Sequence, residues 1–389
     1  MKKVVVLLLT LLCITGCGKE YVESSEYISV NKKEFEVFSH VTLYDIISYN
    51  GIDLVSDDYD IDTETIGEKS EEIVYKRGNK EFVYKFTYNV IDTVKPRVFS
   101  GTSKTIDKGY EGDICNIISY GDNYDGIVNC KIEGTYDVNK IGTYNLKYNL
   151  SDSSNNTTTV DVTLTVKEKS NNKTTTTSTK KTYFSDVISK YKKDNNEIGI
   201  DVSKWQGDID FNKVKGAGAT FVMMRIGVQK SALGELEIDK YYLQNIKNAK
   251  EAGLKVGVYL YSIASSKKEA IEHANWVLKT LDNEKLDLPV VFDWESWSKW
   301  NSFKISFHEI NAIADSYIKT VKDAGYEGML YSSKFYLENI WENKNDYPVW
   351  LAHYTEKTSY QGKYIMWQLC NNGRIDGING DVDIDILYH

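Results

Sequence analysis

The stretch Leu288-Pro289-Val290-Val291-Phe292-Asp293-Trp294-Glu295-Ser296 reads as a short apolar strand that ends in two carboxylates. Residues two apart on a strand share a face, so Asp293 and Glu295 point the same way despite their like charge. Seven further strand-like runs surround it: 198–203, 220–227, 254–262, 327–333, 347–354, 364–370 and 382–388. Helical text separates the earlier ones. Before the run at 327, Ile310, Ile313, Ala314, Tyr317, Ile318 and Val321 repeat at helical spacing and form one apolar stripe. Gly253 and Gly325 stand where helices end. Strands alternating with helices predict parallel strands, and eight of them with shortened late connections predict a modified α/β (β/α)8 TIM-like barrel over 197–389.

Upstream the text changes character. Ile46-Ile47-Ser48-Tyr49 recurs as Ile117-Ile118-Ser119-Tyr120, and Ile66-Gly67 recurs as Ile141-Gly142, each followed by alternating strand-like sequence. This internal repeat predicts two small all-β sandwiches, over 18–92 and 93–167. Asp92-Thr93-Val94-Lys95-Pro96 and Lys140-Ile141-Gly142-Thr143-Tyr144-Asn145-Leu146 resemble the tandem immunoglobulin-like repeats of bacterial surface proteins, which implies a spacer or a weak adhesion module. The polar stretch from Glu168 to Thr182 cannot bury enough apolar surface to offset ordering entropy, so 168–196 is expected as a flexible linker, with a short lead-in helix near its end.

Residues 1–17 carry Lys2 and Lys3, then an apolar run from Val4 to Ile14, the layout of an export signal. Ile14-Thr15-Gly16-Cys17 resembles a lipobox. That implies a lipidated Cys17, a membrane anchor and a location outside the cytoplasm facing the wall. An oxidising location permits a disulfide between Cys115 and Cys130, although their spacing leaves free thiols equally open. The net charge of −9 with no long basic run argues against nucleic acid as partner. The histidines at 40, 273, 308, 353 and 389 form no zinc-ligand spacing, so neither metal nor other cofactor is expected. A monomer is expected.

In a barrel of this kind the reacting groups stand at the C-terminal strand ends. Asp201, Asp293, Glu295 and Asp383 fall at such ends or on the last strand. Crowded carboxylates raise one another's proton affinity, which leaves one acid protonated and one ionised near neutrality, the pairing that glycosidic cleavage needs. A lone Asp-x-Glu is common by chance among 56 acidic residues; its place after an apolar run and the matching Asp201 give it weight.

Residues 197–389 resemble the lysozymes of glycoside hydrolase family 25, which are N-acetylmuramidases. The resemblance rests on Gly199-Ile200-Asp201-Val202-Ser203, Trp205-Gln206-Gly207, Phe221-Val222-Met223-Met224-Arg225, Phe292-Asp293-Trp294-Glu295, Trp350-Leu351-Ala352-His353-Tyr354, Met366-Trp367-Gln368 and Val382-Asp383-Ile384-Asp385, in family order. It implies Glu295 as general acid, Asp293 as its charged neighbour, and Asp201 and Asp383 completing an acidic ring. Tyr261, Trp350, Tyr354 and Trp367 are candidates for stacking on sugar faces, and Arg225 for substrate contact or for pairing with the carboxylates. Trp297 and Trp300 fit either a groove lining or loop packing. Members of the family often carry an amide where Asp385 stands. The implied substrate is the peptidoglycan glycan strand. Two other readings stay open at this stage: a silent adhesin that binds glycan through the same groove, and a chitinase-like enzyme, against which stands the absence of a longer acidic strand motif.

Overall fold

In the computed structural model, residues 20–22, 26–169, 180–231, 234–342 and 347–389 are described. The chain divides into two units, residues 1–93 and 94–389. The expected export signal and Cys17 lie outside the described residues.

The first unit is built on an antiparallel hairpin, Gly67–Arg77 with Lys80–Ile91, which turns at Gly78-Asn79. Gly78 has φ +60°, a conformation that glycine adopts without steric cost. Along the second strand Phe86, Tyr88 and Val90 alternate inward, Tyr88 meets Phe35 edge-on, and Leu43, Ile46 and Ile73 are buried in the same unit. Strands Glu20–Val22 and Glu34–Glu36 join the hairpin in parallel.

The second unit begins with another β module. Gly142–Ser151 pairs antiparallel with Thr157–Lys167 and with Asn129–Glu133, and Ser103–Asp107 adds in parallel. Leu146, Tyr148, Leu150, Val162, Leu164 and Val166 form its core with Ile106, Ile114 and Ile118. The repeated sequence takes the same local form in both modules, a short helical turn leading into a short strand: Leu43–Ile46 into Ile47–Tyr49, and Ile114–Ile117 into Tyr120–Gly121. Cys115 and Cys130 are joined by a disulfide within the second module.

The barrel follows in the same unit. Its eight strands are β1 (Asn196–Val202), β2 (Phe221–Gln229), β3 (Lys255–Ser262), β4 (Val290–Trp294), β5 (Gly328–Ser333), β6 (Val349–Ala352), β7 (Met366–Arg374) and β8 (Val382–Tyr388). Neighbours from β1 to β7 are parallel, and β8 closes the ring by pairing antiparallel with both β7 and β1. A six-residue helix, Lys334–Asn339, follows β5. The 17-residue helix Phe307–Asp323 buries the predicted stripe from Ile310 to Val321.

Strand parity sorts the two faces. Ile200, Val222, Val258, Phe292, Leu330, Leu351 and Ile384 face outward, into the core shared with the helices. Phe221, Met223, Val291, Met329, Trp350, Met366 and Leu387 pack together as the barrel interior. Positions two residues further along β1, β2, β4 and β7 are polar: Asp201, Arg225, Asp293 and Gln368. The interior is therefore oily over most of its depth and acidic at one rim.

Two expectations change here. Part of the presumed linker belongs to the barrel: Thr182–Tyr183 pairs with β7, and the helix Phe184–Tyr191 buries Phe184 and Val187 in the outer core. Apolar spacing in that helix outweighed the polar text before it. The second module is no detached spacer either, since Phe99 is buried within the barrel's own outer core.

Candidate active site

The rim of the barrel opens into a cavity of about 320 Å³ lined by carboxylates and aromatic rings. Each acid arrives by a different route. Asp201 stands near the end of β1, opposite Asp383 of β8 in the antiparallel register. Asp293 lies on β4 between Tyr261 and Tyr331 of the flanking strands. Glu295 follows one residue past the end of β4, where the backbone leaves the strand (φ −128°, ψ 11°), and it still lines the same cavity. A sharp departure at that point is what frees the glutamate to reach the opening while Asp293 stays buried.

Burial pushes the proton affinities of all four upward. Asp201 is held well above the ordinary range by burial and by the charges of Asp383 and Asp385, and a hydrogen bond from Gln368 Nε2 (2.7 Å) opposes this. Asp293 is raised by burial and by Glu295, and the charge of Arg225 opposes the rise. Burial raises Glu295 too, and because this residue presents much of its surface to solvent the rise is screened more than that of Asp293. Asp383 is pushed up to about 7, first by burial and then by Glu295 and Asp381. Crowded acids of this kind keep at least one proton among them near neutrality.

The remaining expected residues separate into three groups. Tyr261, Trp350, Tyr354 and Arg225 line the cavity with the acids. Among them Tyr354 is 52% exposed and donates to Gln368 Oε1 at 2.8 Å, which leaves a ring face available at the opening. Trp350 is only 1% exposed; its Nε1 donates to Asp385 and its ring packs edge-on against Tyr259 and Tyr331, so it supports the cavity floor and has little face to offer a sugar. Trp367 is a correction. It is 3% exposed, lies on the outward face of β7 and donates to His353 O, so it packs the outer core and does not line the cavity. The pairing of Arg225 is a second correction: its Nη2 and Nε bind Asp239 Oδ2 at 2.6 and 2.8 Å, an acid the sequence reading did not single out. Trp297 and Trp300 are buried and pack on each other and on Phe99.

Sequence reading passed over several cavity residues. Trp205 is 77% exposed beside the acids, and Ser203, Gln206, Tyr259, Tyr331, Gln368 and Asn371 complete the lining. Asp385 stands where family members often carry an amide. It is fully buried and accepts from Trp350 Nε1 at 2.8 Å, and its second oxygen has no partner unless a proton stays between it and Asp201. A buried acid on the last strand, two residues after Asp383, was the available signal. A second cavity of about 380 Å³ adjoins the first and shares Tyr354 and Asn371, but the four acids do not line it.

The family model that matches this chain is that of the glycosyl hydrolases family 25, over residues 200–378. An uncharacterized protein of Escherichia coli K12, YegX, is 32% identical over 193 residues, which cover 49% of this chain and 68% of that protein. The chain belongs to glycosyl hydrolase family 25. It is a glycoside hydrolase. Another family relative, an autolytic lysozyme of Clostridium acetobutylicum, is 29% identical over 189 residues, covering 48% of this chain and 54% of the relative. A solved family 25 glycosyl hydrolase from Bacillus anthracis superposes with a TM-score of 0.44 at 21% identity, covering 51% of this chain and 92% of that one.

Proposed function

We propose that this family 25 enzyme is a muramidase that cleaves the β-1,4 bond between N-acetylmuramic acid and N-acetylglucosamine in peptidoglycan. The observation that carries the reading is the convergence of Asp201, Asp293, Glu295 and Asp383 on one open cavity with Trp205, Tyr261 and Tyr354 at its walls. A relative named for autolytic lysozyme activity supports the choice of substrate.

In this reading Glu295 is the general acid. Burial raises its proton affinity, which favours the protonated form that a general acid needs, and its exposure lets it reach the glycosidic oxygen. As the bond from C1 to the leaving oxygen breaks, the proton of Glu295 passes to that oxygen. Asp293, whose proton affinity burial and Glu295 raise and Arg225 partly lowers, orients the neighbouring 2-acetamido group or, once ionised, supports the positive charge that develops on the sugar ring. Water then adds to C1 and returns a proton to Glu295. Asp201 and Asp383 bind sugar hydroxyls and hold the local proton affinities high. Exposed ring faces of Trp205 and Tyr354 stack on the glycan.

We further infer that Cys17 is lipidated, that the enzyme works outside the cytoplasm on the wall side of the membrane, and that the two β modules are immunoglobulin-like. The decisive experiment digests purified peptidoglycan with the mature chain and identifies the products by mass spectrometry, which reports the bond cut and the sugar at the new reducing end. Muropeptides ending in reduced N-acetylmuramic acid after borohydride treatment are expected, and Glu295→Gln should abolish them. Binding without new reducing ends would reject the enzymatic role assigned to these acids.

A further inference from the structure

The segment that carries Glu295 is clamped from outside the barrel. After β4 the chain runs through two short helical turns, Ser296–Lys299 and Trp300–Phe303, before entering the helix Phe307–Asp323. Each of these three helical pieces meets the second β module at one or more residues. Phe99 inserts its ring edge-on among Trp297, Trp300 and Phe307, with centroids at 6.5, 5.4 and 5.6 Å. Ser119 Oγ donates to Trp297 O at 3.0 Å, two residues beyond the acid. Asn301 Nδ2 donates to Ile118 O at 3.0 Å and Asn116 Oδ1 at 3.1 Å, and Asn301 Oδ1 accepts from Tyr120 N. At the start of the long helix, Phe307 N and His308 N donate to Asp122 O and Asn123 O, so the module supplies carbonyls to helix N–H groups that have no partner within the helix. Arg97 lies over the Phe307 ring at 4.5 Å and donates to Asn339 O, beyond β5.

Two glycines make the approach close enough. A Cβ on Gly121 would stand 2.8 Å from Trp300 Nε1 and 2.9 Å from Phe307, and one on Gly126 would stand 2.3 Å from Lys304 O. Neither glycine has the positive φ that would itself require glycine, so the requirement comes from the contact.

We propose that the second β module is a working part of the active site, in which Phe99, Ser119 and Asn301 are positioning residues that hold the Glu295 turn against the cavity. The inference rests on the reading of Glu295 as the acid. Unclamped, the run from Ser296 to Lys304 would expose Trp297 and Trp300, and the carboxyl would lose its fixed direction toward the glycosidic oxygen. Misplacement of a reacting group by about 1 Å costs on the order of a hundredfold in rate. Substrate contacts elsewhere in the cavity are untouched, so the loss belongs to kcat.

The experiment uses the full mature chain with Gly126→Ala, which wedges the contact at Lys304 O, and with Ser119→Ala as a milder variant that removes one bond. Gly101→Ala serves as control, because a Cβ there meets nothing within 4 Å. For Gly126→Ala, kcat on peptidoglycan should fall about tenfold or more, with KM within twofold, and amide hydrogen exchange should quicken over 296–304. Ser119→Ala should shift both readouts in the same direction by less. Wild-type kcat and exchange in both variants would overturn the proposal. An active Glu295→Gln would instead refute the assignment of the acid, and the exchange over 296–304 would still decide whether the module holds this turn.

Discussion

Replacing Asp385 by asparagine removes one of two carboxyls that face each other inside the barrel. Asp385 is fully buried on β8, where the register sets Gly199 opposite Asp385 and Asp201 opposite Asp383. Asp201 and Asp385 are therefore diagonal neighbours with Cβ atoms roughly 6–7 Å apart by strand geometry, and their carboxyls lean together within hydrogen-bonding reach. Even at the Cβ separation two full charges repel by about 2–3 kcal/mol at an effective dielectric near 20. The folded protein avoids this by retaining a proton, and both groups are accordingly held well above the usual carboxylate range. A carboxyl with its folded pKa raised above the unfolded value contributes stability at low pH. That contribution drains away as pH rises through the window from about 4, the unfolded value, to the raised folded value. Asparagine keeps an oxygen for Trp350 Nε1 and offers Asp201 a permanent donor, so it carries no such loss. Denaturant unfolding should find Asp385→Asn about 1–2 kcal/mol more stable than wild type at pH 8 and nearly equal near pH 4, where the wild-type contribution is still present. Equal destabilisation at both pH values would refute the shared proton and indicate that the carboxylate is held by an attraction the geometry does not contain.

Other consequences are as direct. Activity on peptidoglycan should decline as pH rises through the elevated proton affinity of Glu295, since the acid must begin protonated; a pH profile of kcat/KM that climbs steadily toward alkaline pH would contradict it. Trp205→Ala removes a ring that is almost wholly exposed at the cavity and should raise KM about two- to tenfold with unchanged unfolding, measured by glycan binding and thermal melts. Joint replacement of Cys115 and Cys130 by serine opens a loop of 15 residues and should lower the stability of the second module by about 2–4 kcal/mol, read by unfolding with and without reductant.

Much of this protein is legible from sequence because short-range rules govern it. Alternation and the spacing of Ile310 to Val321 give the elements, repeated text gives the paired β modules, and the apolar run ending in Asp293 and Glu295 marks the strand end where acids gather, although the turn after β4 aims Glu295. Strands buried on both faces hide the next level, because apolar residues occupy either parity and the inward side cannot be read from composition. Met366-Trp367-Gln368 is the example: Gln368 turns inward to Asp201 and Trp367 turns outward, a choice made by the register of the closed ring. Long-range pairing decided the rest. Antiparallel closure by β8 brings Asp383 and Asp385 to Asp201, the hairpin after β2 brings Asp239 to Arg225, and Phe99 reaches Trp300 across 200 residues of chain because both must escape water. Local sequence specifies the parts and their chemistry, whereas which faces meet depends on closure and docking, whose energies arise between segments far apart in the chain.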